Sequence, residues 1–155
     1  MHPDRGPIII DLGIARSEDS VGLTNTGVVI GSPGFMAPEQ IQGFRIDPRA
    51  DLFVLGIILY FCLVGKSPYG EGQTVAIVYR VVYNRIDVSD LPISAEFRQV
   101  IARATELKAD NRFQNADEFQ KGIEGTPEWQ SYQGAASRHP TTIIRTHQRN
   151  MDTIE

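Results

Sequence analysis

A short β-branched run, Pro7-Ile8-Ile9-Ile10, ends in Asp11-Leu12-Gly13. A carboxylate at the end of a strand, with a glycine two residues on to free the backbone, suits a hard divalent cation that prefers oxygen ligands. The same tripeptide is equally an ordinary turn after a strand. Downstream, Thr24-Asn25-Thr26 offers hydroxyls in a stretch rich in Gly, Ser and Thr. By themselves these are common residues of a polar, flexible loop. Glu39 and Arg112 are far apart in sequence and read, by themselves, as two surface charges. Asp51 opens a long apolar run, where a carboxylate serves as an N-cap or first-turn residue favoured by the helix dipole.

The bulk properties frame these groups. The chain has 155 residues, 41% hydrophobic and 22% charged. That is enough for one domain with a packed core. Fifteen basic against nineteen acidic residues leave a net charge of −4, so neither nucleic acid nor an anionic membrane is an expected partner. One cysteine, Cys62, excludes an internal disulfide and points to a reducing cytoplasm. Three scattered histidines give no zinc spacing. Met1 to Arg5 lacks an apolar h-region. The greasiest segment, Leu52 to Gly65, falls short of the roughly 20 residues that cross a bilayer, so no membrane span is expected.

The elements that must position the chemistry follow from periodicity. Residues 7–10 read as a strand and 13–39 as a long loop of the kind that is functional or disordered. Leu52–Val64 is apolar all round, which predicts a helix buried on every face, closed by Gly65. Thr74–Val82 reads as a helix with Val75, Val78, Tyr79 and Val82 on one side. Ala95–Leu107 reads as an amphipathic helix with Phe97, Val100, Ile101, Ala104 and Leu107 at 3 and 4 spacing. Asn115 is placed to cap a last short helix through Ile123. From Gly125 apolar periodicity fades, predicting a flexible polar tail over 125–155.

Four segments, in order and suitably spaced, together resemble the large lobe of a bacterial eukaryotic-like Ser/Thr protein kinase. They are Ile8 to Arg16 around Asp11-Leu12-Gly13, then Gly31-Ser32-Pro33-Gly34-Phe35-Met36-Ala37-Pro38-Glu39-Gln40, then Asp47 to Gly56, and finally Ala109-Asp110-Asn111-Arg112-Phe113. The resemblance covers residues 6–124. It implies a mainly α fold: a partial kinase large lobe with a short N-terminal β element, a long activation segment and a helical base.

Site roles follow from the resemblance alone. Asp11 would be a Mg2+ ligand, and Thr24 and Thr26 activation-segment phosphosites. Ser32, Gly34 and Phe35 would dock the substrate peptide, with Ser32 in the style of a Ser/Thr rather than a tyrosine kinase. Glu39 and Arg112 would form a buried ion pair, and Asp51 would anchor the central helix to the catalytic loop. Ile58 and Cys62 would support the stack on the adenine side. ATP and Mg2+ are the cofactors of a complete kinase. The Gly-rich loop, strand lysine and catalytic loop fall upstream of Met1, so this chain alone is expected to be inactive and to bind neither cofactor tightly. Its expected partners are a protein substrate or the missing N-terminal kinase portion, and the residues deprived of their neighbours should leave an exposed apolar patch. The alternative is a non-catalytic, pseudokinase-like binding or regulatory module.

Overall fold

The computed structural model describes residues 32–136. Among them are six α-helices, two 3-10 turns and no strand; the expected strand at 7–10 lies outside the described residues. Each helix begins or ends where local chemistry dictates. Helix α1, Pro38–Gln42, carries proline in its first turn, and the Ala37 N–H donates to Gln40 Oε1 at 2.7 Å. Helix α2, Arg49–Val64, starts after Pro48 and closes on Gly65, whose φ of 73° places it in the left-handed region that favours glycine. Helix α3 spans Thr74–Tyr83. Helix α4, Ala95–Ala104, is capped by Ser94, whose Oγ accepts the Phe97 N–H at 3.1 Å. Helix α5, Ala116–Glu124, is capped by Asn115, whose Oδ1 accepts the Glu118 N–H at 2.8 Å.

Helix α2 lies between two apolar clusters. Phe53 and Ile57 face one of them, with Ala37, Ile41, Tyr69 and Val81. Leu52 faces the other, with Val100, Ala104, Phe113 and Phe119. Gly56 sits where α2 crosses α4. A Cβ there would come 2.6 Å from the Thr105 methyl and 2.9 Å from Ala104 Cβ, so only glycine permits this approach.

The structure corrects the expectation that α2 is buried on every face. Leu55 and Ile58 are 43% and 41% exposed, and Asp51 and Cys62 are exposed with them. Positions 51, 55, 58 and 62 recur at helical spacing and form one stripe. Two clusters cover only two sides of a helix, and a uniformly apolar sequence does not say which side is left. Helix α3 needs a second correction. Its inward face is Ile77, Val78, Val81 and Val82, whereas Val75 and Tyr79 are 78% and 60% exposed.

The stretch expected as polar tail begins with a sixth helix, α6, Pro127–Ala136, which packs on α4 and α5. Buried Thr126 caps it, accepting the Trp129 N–H at 3.4 Å. Glu128 on its first turn accepts the Ser94 N–H at 2.6 Å and the Ser94 O–H at 2.8 Å, joining α6 to the start of α4.

Gly56→Ala is expected to destabilise the chain by about 1–3 kcal/mol through overpacking against α4. Urea unfolding should show a lower midpoint at unchanged slope. Gly134→Ala, where an added Cβ meets nothing within 4 Å, should leave the midpoint level or raise it slightly.

Candidate functional site

The segment Ser32–Glu39 is fixed at two points. At its start, the 3-10 turn Pro33–Phe35 packs on α3 and α2. Gly34 is buried, and a Cβ there would come 3.2 Å from Ser67 Oγ, so the turn lies close against the loop after α2. Phe35 meets Phe61 of α2 edge to face, ring centres 5.8 Å apart. Ser32 is exposed at the outer end.

At its far end the segment is held by Glu39. The Arg112 guanidinium is fully buried and binds the Glu39 carboxylate with two parallel bonds, Nη1 to Oε1 at 2.7 Å and Nη2 to Oε2 at 2.8 Å. Its other donors reach backbone carbonyls: Nε to Glu106 at 2.7 Å, Nη1 to Arg49 at 3.1 Å and Nη2 to Leu107 at 3.0 Å. All five N–H groups are thereby used. The guanidinium plane also lies 4.7 Å from the centre of the Phe53 ring. Three distant stretches, around residues 39, 49 and 106–107, meet on one side chain.

A second cationic junction, not singled out from the sequence, supports the first. Arg49 binds both oxygens of Asp47 and reaches Asp110 at 2.8 Å and Gln114 at 2.9 Å. It links the start of α2 to the turn that carries Arg112. The Arg49 side chain holds the Asp47 carboxyl down at about 2 against an ordinary value of 3.8. Only the short spacing Asp47-Pro48-Arg49 hinted at it. Tyr69 was also missed. Its hydroxyl is buried in the first cluster without a partner among the described residues, and burial pushes its ionisation well up.

The sequence-derived site residues therefore separate into groups. Glu39 and Arg112 come together, and Ser32, Gly34 and Phe35 share one turn. Asp51 is exposed in the first turn of α2, on the same stripe as Ile58 and Cys62, which are exposed rather than core. Asp11, Thr24 and Thr26 lie outside the described residues. Among the described residues no group of three or more His, Cys, Asp or Glu could hold a metal ion. No helix among them is long and apolar enough to cross a membrane.

Two substitutions test the junctions. Arg112→Lys keeps the charge but loses the fork that fills five acceptor directions. It is expected to cost on the order of 3–5 kcal/mol, the range for breaking a buried pair, read as a drop in the urea midpoint. Asp47 has a lowered folded pKa, so its contribution is present above about pH 4 and is lost as pH falls toward about 2. The stability difference between the chain and Asp47→Asn should therefore be constant above pH 4 and close between pH 4 and 2 in acid-titrated unfolding curves.

Comparison with known proteins fits this geometry. The protein kinase domain family matches residues 4–122. A probable serine/threonine-protein kinase of Clostridium acetobutylicum is 35% identical over 72% of this chain. The serine/threonine-protein kinase PknB of Mycobacterium leprae is 34% identical over 74%, and the tyrosine-protein kinase MasK of Myxococcus xanthus 32% identical over 75%. The chain spans only 17%, 19% and 18% of the length of these three relatives. A match over most of the chain, together with a Glu39–Arg112 clamp beneath the Ser32–Phe35 turn, places this chain in the protein kinase family.

Proposed function

We propose that this chain is the substrate-docking and helical-base portion of a Ser/Thr protein kinase, inactive by itself, and that it works against a portion carrying the nucleotide cleft. The observation that carries this reading is the clamp: Glu39 on Arg112 holds the Ser32–Phe35 turn in a fixed relation to α2. In that reading Ser32, Gly34 and Phe35 receive the substrate peptide, and Ser32 favours a seryl or threonyl acceptor. Asp11 supplies one Mg2+ ligand, and Thr24 or Thr26 takes an activating phosphate. ATP and Mg2+ supply the phosphoryl group and its charge neutralisation when bound to the complete domain. The chain's own contribution is positioning, which dominates phosphoryl transfer because little covalent chemistry falls to the protein. Its setting is the cytoplasm.

The exposed stripe Asp51, Leu55, Ile58, Cys62 supports the need for a partner. An apolar row on the central helix is costly in water and is the natural seat for the remaining kinase portion. The same stripe also supports a second reading, a non-catalytic module that binds a regulatory partner there.

A chimera separates the two. Residues 32–124 of this chain replace the matching residues of the M. leprae PknB kinase domain, and transfer from ATP·Mg2+ to a Ser/Thr peptide is measured beside the isolated 155-residue chain. The expected result is an active chimera and no transfer by the chain alone. A folded chimera without activity would favour the module, and transfer by the isolated chain would overturn its predicted inactivity.

A further inference from the structure

Beside the C-terminal end of α2 is an open cleft of about 390 Å³ that the kinase reading does not use. Tyr60 and Leu63 form one wall, Leu91 and Pro92 the other, and Asp87 and Asp90 line it as well. The volume lies within the usual range for ligand sites. The loop wall is braced in place. Asp87 accepts the Ser89 N–H at 2.9 Å, and Arg98 donates to the Ser89 carbonyl at 2.8 Å and the Ile93 carbonyl at 3.2 Å. Among the described residues neither Asp87 nor Asp90 has a cationic partner. A cleft of mixed lining, with aliphatic side chains beside two carboxylates that no described cation neutralises, fits a segment that joins aliphatic side chains to a cation.

The chain contains such a segment, and its start is tethered nearby. Ser94, two residues past Pro92, is held by Glu128 on the first turn of α6. Ten helical residues carry the chain about 15 Å from that point. The seven residues from Ala136 to Ile143 can span up to about 23–25 Å, enough to return. There stands Thr142-Ile143-Ile144-Arg145. Residues 137–149 include Arg138, Arg145 and Arg149 and no Asp or Glu, a basic stretch within a chain of net charge −4. We infer that Thr142–Arg145 docks in this cleft within the same molecule, Ile143 and Ile144 on the apolar walls and the Arg145 guanidinium on Asp87 and Asp90.

Hydrogen–deuterium exchange on the full chain tests this. The amides of residues 142–146 are expected to exchange at least about tenfold more slowly than in a synthetic peptide of residues 137–155. Arg145→Glu should return them to the peptide rate, and Asp90→Arg in the same molecule should restore the slowing by reversing the pair. Arg145 is outside the described residues 32–136 that form the helical base, and an unchanged circular dichroism spectrum verifies that the variant keeps the fold. Peptide-rate exchange in the unaltered chain, or slowing that survives Arg145→Glu, would overturn the assignment. Slowing that disappears on dilution would place the segment in a second copy and overturn it equally.

Discussion

A guanidinium with every donor occupied is the constraint on which the rest of this structure depends. Arg112 is completely removed from water, and an isolated buried cation would be prohibitively unstable. It is tolerated because two of its hydrogen bonds go to a carboxylate and three go to carbonyls of other stretches of chain. The requirement runs both ways. The Glu106 and Leu107 carbonyls lie just past the end of α4, where backbone acceptors have no helical partner, and the Arg49 carbonyl offers a second lone pair at the start of α2. Arg112 binds the Arg49, Glu106 and Leu107 carbonyls together and ties the Ser32–Glu39 segment to them through Glu39. An ammonium group has too few donors and no plane to lay on Phe53, so a lysine cannot substitute.

Helix α2 inherits its placement from this junction. Its first carbonyl is bound by Arg112, and Arg49 ties its start to the turn at 109–111. With the start fixed, Phe53 and Ile57 must enter one cluster and Leu52 and Gly56 must face α4. The remaining side, Asp51 to Cys62, has no element left to cover it among the described residues. The exposed stripe is thus a geometric consequence of two clusters and one close crossing.

How much of this was legible in the sequence depended on contrast between neighbouring side chains. Helix α4 was readable because Phe97, Val100, Ile101 and Ala104 alternate with polar residues, and the structure buries the same face. Helix α2 was readable as a helix but not in orientation, since Leu, Ile, Val and Phe on all sides leave nothing to choose between. In α3 the tyrosines and valines are similarly ambiguous, and Tyr79 and Tyr83 stack on each other outside the core, ring centres 4.9 Å apart. Helix α6 was hidden by its polar composition, although Thr126-Pro127-Glu128 spells a cap, a first-turn proline and a first-turn acid. The Glu39–Arg112 pair had no local signal; only the family pattern pointed to it, because charge type alone does not encode a long-range contact.

The Ser32–Phe35 turn and the stripe lie close to one residue, Phe61. Phe61 is both partly exposed beside the stripe and the ring against which Phe35 packs. Phe61 is the chain neighbour of Cys62, so a group seated on the stripe at Cys62 would lie near the ring that packs on Phe35. Glu39 fixes the other end of the same segment. A partner on the stripe would therefore sit close to one anchor of the Ser32–Phe35 turn, while the segment's other anchor is Glu39 on Arg112.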